Sequence, residues 1–264
     1  MSDRDRRVGL VTGVSRRGGI GFAIATRLVK LGFDLVVAHH AAHDAEQPWG
    51  ADDLAQVIDG IRSAAAPGGR VVDASCDLAG PDAAEWLMGF AVREFGHVDA
   101  LVCNHARSGG DGCLLECTAA MLDAHWAVNA RSSLLLAREF AAQHRGCPGA
   151  DATGRIVFLT SGQELGPMPG EIAYATSKAA IAGITKTLAY ELAPRGIAVN
   201  CVNPGPVDSD SYVTDELRTA VADRFPFGRW GEPDDPARLI AWLVSQDGRW
   251  VTGQVLNTEG GFVR

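Results

Sequence analysis

Short apolar runs alternate with longer helical patterns along almost the whole chain, and this alternation restricts the fold more than any other feature. Seven runs predict strands: RVGLVT (7–12), DLVVA (34–38), RVVDAS (70–75), DALVCN (99–104), RIVFLT (155–160), IAVNCV (197–202) and QVLNTE (254–259). Six segments predict helices, near 20–31, 52–66, 82–95, 119–145, 173–193 and 234–246. Most strands carry Val, Ile or Leu at successive positions, as in a parallel sheet covered on both faces. The sequence therefore predicts an α/β fold, a doubly wound seven-stranded parallel sheet with helices on both faces, as a single domain over residues 1–264.

Two connections are long for such a sheet: HHAAHDAEQPWGAD (39–52) and PVDSDSYVTDELRTAVADRFPFGRW (206–230). Long segments at strand ends are usually functional loops, so we expect both to lie beside a ligand site. The second segment contains aromatic residues that suit either a substrate lid or ordinary packing: Tyr212, Phe225, Phe227 and Trp230.

Net charge bears on the partners of the protein, and cysteine usage bears on its compartment. A net charge of -8 at pH 7 argues against nucleic acid or an anionic membrane as the main partner, since both favour a basic surface. No apolar stretch reaches the ~18–20 residues of a membrane span. The 6 cysteines, which include Cys147, form no CxxC pair, as is typical of reduced thiols. We therefore expect a cytoplasmic protein that binds neither nucleic acid nor membrane.

Glycines crowd the turn between the first strand and the first helix, in TGVSRRGGIG (12–21). In a doubly wound sheet this turn meets the pyrophosphate of a dinucleotide, because glycine lets the backbone approach the phosphates and the helix N-terminus offers N–H groups. A glycine cluster alone is weak evidence, since an ordinary turn has the same composition. The candidate phosphate-binding residues are Gly13, Ser15, Arg16, Arg17, Gly19, Ile20 and Gly21.

The segment YATSK is the strongest chemical signal, because it puts Tyr174 and Lys178 on one face of a predicted helix. An ammonium near a phenol favours the phenolate and lowers a pKa that starts near ~10. Such a tyrosine can exchange a proton with a carbonyl oxygen near neutral pH. Ser161 and the segment NPGPVDS follow the neighbouring central strands, at the edge where open α/β sheets bind ligands.

These motifs together resemble those of classical short-chain dehydrogenases/reductases, and the resemblance covers essentially the whole chain. TGVSRRGGIG is similar to the family's TGxxxGxG signature but is two residues longer. The resemblance to this signature implies a Rossmann fold. The active-site tetrad of the family maps onto Asn129, Ser161, Tyr174 and Lys178. CNHA departs from the usual NNAG, with His105 and Ala106 at its last two positions. The resemblance implies further cofactor contacts: Asp77 and Leu78 in CDL, Asn104 in CNHA, and Pro204, Gly205, Val207 and Ser209 in PGPVDS.

The resemblance also implies a role for each residue of the tetrad. Tyr174 is the general acid in reduction and the base in oxidation, while Lys178 lowers the pKa of that phenol and holds the nicotinamide ribose. Ser161 hydrogen-bonds the substrate carbonyl oxygen as negative charge builds there. Asn129 positions a water that relays protons to Lys178; the alternative reading is a hydrogen bond at a helix kink.

The end of the second strand bears on the choice of cofactor. NAD-preferring members carry an acid there to bind the ribose hydroxyls, whereas this chain has His39 and His40, with no carboxylate before Asp44. The missing acid, with Arg16 and Arg17 near by, favours NADP(H) over NAD(H). A histidine cluster also suits a metal. It falls where the adenosine end of the cofactor is expected, so no metal site is predicted.

We therefore expect an NADP(H)-dependent oxidoreductase that reduces a ketone to a secondary alcohol, or catalyses the reverse. The chain is similar to bacterial 3-oxoacyl-[acyl-carrier-protein] reductases, so the carbonyl substrate is a small molecule or an acyl chain on a carrier. The expected pocket walls are the segment 206–230 and the residues His105, Arg107, Met168 and Pro169.

The same resemblance leaves two alternative functions open and implies an oligomeric state. One alternative is an NAD(H)-dependent dehydrogenase of a secondary alcohol, sugar or steroid. The other is a dinucleotide-binding regulator without catalysis, which the complete tetrad disfavours. The resemblance also implies a homotetramer, with the helices at 119–145 and 173–193 between subunits.

Overall fold

The structure is a computed structural model, and it describes residues 6–146, 153–209 and 213–263. Its strands are β1 (Val8–Thr12), β2 (Asp34–His39), β3 (Val71–Ser75), β4 (Ala100–Cys103), β5 (Gly154–Leu159), β6 (Ile197–Asn203) and β7 (Val255–Asn257). Its α-helices are α1 (Ile20–Lys30), α2 (Ala41–Ala45), α3 (Leu54–Ser63), α4 (Ala83–Phe95), α5 (Ala119–His125), α6 (Ser132–Gln143), α7 (Ile172–Leu192), α8 (Asp215–Ala220) and α9 (Asp234–Val244). A π-helical turn, Trp126–Arg131, joins α5 to α6, so the helix expected at 119–145 is interrupted.

The strands of the described residues form one parallel sheet in the order β3-β2-β1-β4-β5-β6-β7. Parallel strands end on the same edge, so the segments that follow them come together there. The direction of the strand order reverses between β1 and β4, which leaves a crevice where sheets of this kind bind ligands. The predicted doubly wound, seven-stranded parallel sheet of the Rossmann type is confirmed.

Each face of the sheet has its own hydrophobic core, because successive residues of a strand point to opposite faces. Leu10 and Leu101 belong to the core covered by α4, α6 and α7. Val11 and Val102 belong to the core covered by α1, α3 and α9. All four side chains are inaccessible to solvent, and burial of each contributes about 1.5–3 kcal/mol. Two covered faces explain why the strands are apolar at successive positions.

The long segment 206–230 contains α8 and a 3-10 turn. Phe225 and Trp230 are buried, and their ring centres lie 4.9 Å apart, so these two aromatic residues pack in the protein interior. Phe227 is 80% exposed. Tyr212 lies outside the described residues. Ordinary packing therefore explains two of the aromatic residues for which a lid was the alternative.

The cysteines of the described residues carry free thiols and range from buried to exposed: Cys103, Cys201, Cys76, Cys117 and Cys113. Cys147 lies outside the described residues. Within the described ranges, the structure contains no helix with both the length and the apolar character needed to cross a membrane.

Candidate active site

Tyr174 and Lys178 lie one turn apart on α7, as their spacing predicts. The Lys178 side chain is buried, and its Nζ lies 5.7 Å from the centre of the Tyr174 ring. This nitrogen donates a hydrogen bond of 2.9 Å to the carbonyl oxygen of Leu159, the last residue of β5. The hydroxyl of Thr160 donates to the carbonyl oxygen of Lys178, also at 2.9 Å. Two hydrogen bonds therefore join the second turn of α7 to the carboxyl end of β5.

Burial also sets the acidity of the lysine. Removal from water lowers the pKa of Lys178 from 10.5 to about 8. Because this pKa is still above neutral pH, the group keeps its positive charge at pH 7. A cation this close to a phenol stabilises the phenolate, so Tyr174 is suited to give up and regain a proton.

Asn129 lies in the π-helical turn and is almost completely buried. Its Oδ1 accepts the backbone N–H of Arg107 at 2.7 Å. Its Nδ2 donates to the carbonyl oxygen of Arg107 at 3.2 Å and to the hydroxyl of Ser177 at 2.9 Å. The hydroxyl of Ser177 donates in turn to the carbonyl oxygen of Tyr174 at 2.7 Å. Asn129 therefore links the loop after β4 to the helix that carries Tyr174, which fits the frequent occurrence of π-turns at functional sites.

Ser161 comes two residues after the end of β5, at the same edge as the carbonyl that holds Lys178. It is half-buried and has an extended backbone, and a 3-10 turn, Gly162–Glu164, begins directly after it. The Ser161 hydroxyl therefore lies on a short segment between a central strand and a tight turn.

The glycine-rich turn after β1 packs tightly against the end of β4. The Asn104 side chain donates to the carbonyl oxygens of Thr12 and Gly13, at 3.0 and 2.9 Å. A Cβ at Gly13 would lie 2.7 Å from the Cα of His105, and this glycine has φ +73°. A Cβ at Gly21 would collide with the Gly13 carbonyl oxygen and lie 2.7 Å from Asn104 Nδ2. Both glycines are therefore required by close backbone approach.

Arg16, in the lengthened part of this turn, bridges two segments at the sheet edge. Its guanidinium donates to the carbonyl oxygen of Ser209, in the segment after β6. The same group lies 3.6 Å from the carboxylate of Asp44 and stacks over the Trp49 ring at 5.4 Å. Asp44 is buried and also accepts the hydroxyl of Ser15. The segment 39–52 thus contacts the glycine-rich turn.

The ends of β2 and β3 lie at the same edge. His39 is buried, with Nε2 3.5 Å from the Asp73 carboxylate, and neither ring nitrogen has a hydrogen-bond partner within the described ranges. His40 is half-buried and precedes α2. After β3, Asp77 is exposed and Leu78 is buried.

The segment after β6 completes the edge. Asn203 Oδ1 accepts the N–H of Gly205 at 3.0 Å, which turns the chain directly after Pro204. Gly205 has φ +70°, and a Cβ there would lie 2.8 Å from the Cα of Glu259. Val207 pairs with Gly231 and is buried. Among the described residues, the predicted site residues after the different strands therefore share one edge of the sheet.

Comparison with known proteins identifies the family. The model of the family described as Enoyl-(Acyl carrier protein) reductase matches residues 13–263. "Uncharacterized oxidoreductase YjdA" of Bacillus subtilis (strain 168) is 40% identical over 264 residues, covering 100% of both chains. The 3-oxoacyl-[acyl-carrier-protein] reductase FabG of Rickettsia bellii is 31% identical, covering 100% of this chain and 99% of the relative. The chain belongs to the short-chain dehydrogenase/reductase family.

A solved structure supports the same assignment. A blue fluorescent protein from a metagenomic library, in complex with NADPH, is 30% identical and superposes with a TM-score of 0.82 over 98% of each chain. As a short-chain dehydrogenase/reductase, the protein is an oxidoreductase, and its family uses nicotinamide cofactors.

The site of this short-chain dehydrogenase/reductase fits a dinucleotide on physical grounds. α1 begins at Ile20, its N-cap Gly19 has no side chain, and its first turn contains no acid. Its first N–H groups and the positive end of the helix dipole therefore suit an anion such as a pyrophosphate. The two ring nitrogens of the buried His39, at the end of β2, have no hydrogen-bond partner in the described part of the chain, which fits a dinucleotide with polar groups at this edge.

His105 departs from the expectation that it walls the substrate pocket. The side chain is 8% exposed and points into the protein, with Nδ1 2.5 Å from the Thr12 hydroxyl. Nε2 lies 2.7 Å from the Ser132 hydroxyl and 3.0 Å from the Val128 carbonyl oxygen. Burial lowers the pKa of His105 to about 3, so the ring is neutral. The expectation was wrong because partners on β1 and on the π-turn satisfy this imidazole in the interior.

Two residues beside Tyr174 escaped the sequence analysis. His125 is buried, donates from Nδ1 to the Met121 carbonyl oxygen at 2.9 Å, and meets the Tyr174 ring edge-on at 6.5 Å. Asp111 accepts the N–H groups of Ala173 and Tyr174. Both residues act through contacts between distant parts of the chain, which spacing patterns do not reveal. Across the described ranges, no group of three or more His, Cys, Asp or Glu side chains is arranged to hold a metal.

Proposed function

We propose that the protein is an NADP(H)-dependent oxidoreductase that reduces a ketone, such as a 3-oxoacyl thioester or similar carbonyl, to a secondary alcohol, or catalyses the reverse. One observation carries the proposal: Lys178 is buried against Tyr174, and its ammonium is bonded to the end of the strand that leads to Ser161. A phenol beside a buried ammonium is suited to exchange a proton with a carbonyl oxygen.

Each residue of the tetrad has a distinct task in this proposal. Tyr174 donates its proton to the carbonyl oxygen in reduction and accepts one from the alcohol in oxidation. Lys178 stabilises the phenolate, and the Ser161 hydroxyl donates to the carbonyl oxygen where negative charge develops. Asn129 positions a proton-relaying water and holds the loop after β4 against α7. The nicotinamide cofactor supplies the hydride when it is bound.

The residues proposed to hold the cofactor follow successive strands of the sheet. Those of the glycine-rich turn and of β2 are Gly13, Ser15, Arg16, Arg17, Gly19, Ile20, Gly21, His39 and His40. Those after β3, β4 and β6, and on α7, are Asp77, Leu78, Asn104, Pro204, Gly205, Val207, Ser209, Tyr174 and Lys178.

The preference for NADP(H) rests on the charge near the adenosine end. Arg17 is exposed, so it is free to meet a phosphate, and β2 ends in His39 rather than in an acid. One observation favours the alternative, NAD(H): the carboxylate of Asp44 reaches the glycine-rich turn and accepts the Ser15 hydroxyl. A carboxylate there could bind ribose hydroxyls instead of tolerating a phosphate.

Titration with both dinucleotides tests the cofactor. In the proposal, wild-type protein binds NADPH more tightly than NADH, and replacement of Arg16 and Arg17 by Ala weakens NADPH more than NADH. Arg93→Ala, which removes an exposed arginine from α4, is the matched control and leaves both affinities unchanged. Equal losses of affinity for NADPH and NADH would show that the two arginines do not recognise the phosphate.

The substrate and the assembly are tested separately. A screen of ketones and of 3-oxoacyl thioesters, followed by loss of NADPH absorbance, distinguishes a free carbonyl from a carrier-bound acyl chain. NADPH binding without turnover of any carbonyl would favour the regulator. We further propose a cytoplasmic homotetramer, for which size-exclusion chromatography gives about four times the chain mass; a monomer would contradict it.

A further inference from the structure

The first turn of α7 lacks a cap from its own sequence. The helix begins at Ile172, and the N-cap residue Glu171 makes no side-chain hydrogen bond to it. Tyr174 is the third residue, so it lies in the turn whose N–H groups have no partners within the helix. Helix ends fray unless such groups are satisfied, and fraying here would move the phenol.

A segment about sixty residues earlier in the chain supplies the missing acceptors. Asp111, in the loop after β4, accepts the N–H of Tyr174 through Oδ2 at 2.7 Å and the N–H of Ala173 through Oδ1 at 3.0 Å. The next residue, Gly112, accepts the N–H of Ile172 through its carbonyl oxygen at 3.5 Å. The first three N–H groups of α7 therefore meet acceptors on two adjacent residues.

Charge strengthens this contact. Partial burial would raise the pKa of Asp111, but three backbone N–H donors outweigh it and hold the pKa below its usual value. The carboxylate is thus ionised at the positive end of the α7 dipole, where a negative charge is stabilising. The neighbouring Glu171 is shifted the other way, since burial and then the charge of Asp111 raise its pKa.

We propose that Asp111 is a positioning residue that holds Tyr174 in place for proton transfer by capping α7 from a distant loop. The proposal rests on the proposed role of Tyr174 as proton donor. Lys178 is anchored independently, through Leu159 on β5. Loss of Asp111 therefore affects the two residues differently. The ammonium of Lys178 keeps its anchor on β5, whereas Tyr174 loses the acceptor for its backbone N–H.

The test compares Asp111→Ala with Asp111→Asn and with a control cap. Asp53→Ala is the matched control, because Asp53 caps α3 through the N–H of Ala55 at 3.0 Å and that helix carries none of the tetrad.

Asp111→Ala is expected to lower kcat about tenfold, with the KM for NADPH unchanged. Amide exchange in the peptide 172–176 is expected to accelerate. Asp111→Asn keeps an acceptor oxygen and is expected to fall between wild type and Asp111→Ala in both measurements. Asp53→Ala is expected to lower thermal stability while kcat stays at the wild-type value.

Two readouts keep this idea distinct from the proposed function. Unchanged exchange at 172–176 in Asp111→Ala overturns the cap, whatever the activity. Accelerated exchange with unchanged kcat overturns the positioning role. If Asp111→Ala does not fold, Asp111→Asn decides: wild-type exchange and wild-type kcat there overturn the proposal. Full turnover in Tyr174→Phe would instead defeat the proposed proton donor, and that variant leaves the Asp111 acceptor bonds intact.

Discussion

The ammonium nitrogen of Lys178 lies 5.7 Å from the centre of the Tyr174 ring and is held there by the carbonyl oxygen of Leu159. A lysine side chain has many rotamers in water, and ordering it is costly. The strand carbonyl removes that freedom, so the positive charge is in place before any substrate binds. Preorganised charge of this kind makes the largest single contribution to the rate enhancement of many enzymes.

The first prediction concerns the phenol. Tyr174→Phe removes the exchangeable proton and leaves the ring, so kcat for carbonyl reduction is expected to fall about 100- to 10,000-fold. NADPH affinity, measured by fluorescence titration, is expected to change little because the ring and Lys178 remain. A variant with kcat near that of wild type would exclude Tyr174 as the proton donor.

The second prediction concerns the stability cost of the buried lysine. Because burial lowers the folded-state pKa of Lys178 from 10.5 to about 8, the unfolded chain binds one more proton between these pH values. The contribution of Lys178 to the stability of the wild type therefore rises with pH across this window. Lys178→Met is expected to be more stable than wild type at pH 7, with the difference shrinking from pH 8 to 10.5. Thermal unfolding over this range is the measurement, and Lys186→Met, at an exposed lysine of the same helix, is the control. If the stabilities of wild type and Lys178→Met changed in parallel with pH, burial of the lysine would carry no stability cost and the prediction would be wrong.

The third prediction concerns the glycine-rich turn. Gly21→Ala adds a Cβ that collides with the Gly13 carbonyl and the Asn104 side chain, so it is expected to destabilise the fold by about 1–3 kcal/mol. Dinucleotide affinity is expected to fall as well, because the same backbone forms the phosphate turn. Gly89→Ala on α4 is the control, since its Cβ meets only the flexible end of Arg93. Chemical denaturation and NADPH titration measure both effects; the same values for the two variants would show that the close packing is unimportant.

The fourth prediction concerns the buried neutral imidazole. Burial lowers the pKa of His105 to about 3, so between pH 6.5 and 3 this residue takes up a proton only in the unfolded chain. The wild type is therefore expected to lose about 1.4 kcal/mol of stability per pH unit through this residue as the pH falls below 6.5. His105→Gln keeps a donor and an acceptor but does not titrate, so its stability is expected to fall less steeply. Urea denaturation at pH 7, 5.5 and 4.5 measures the slopes, and equal slopes would rule out this contribution.

Local patterns were sufficient for the fold and for the pair Tyr174 and Lys178, whereas the rest of the tetrad and most cofactor contacts were expected from the resemblance to a known family. The β-strand runs were recognisable because both faces of the sheet are covered, which demands apolar residues such as Leu10 and Val11 side by side. Tyr174 and Lys178 were recognisable because helical spacing alone puts them on one face. Residues that follow parallel strands share an edge in any such sheet, so the grouping of Asn104 and Ser161 followed from topology.

The sequence by itself thus determined the alternation of elements, the type of sheet and the residues gathered at its edge, because these depend on periodicity and on chain direction. Only the tertiary structure decided that His105 points inward to Thr12 and that Asp111 caps the helix of Tyr174. It also decided that Arg16 reaches Ser209. These contacts join residues that are 63 to 193 positions apart. Their partners are chosen by the packing of whole elements, and no local pattern records which distant acceptor a buried donor will meet.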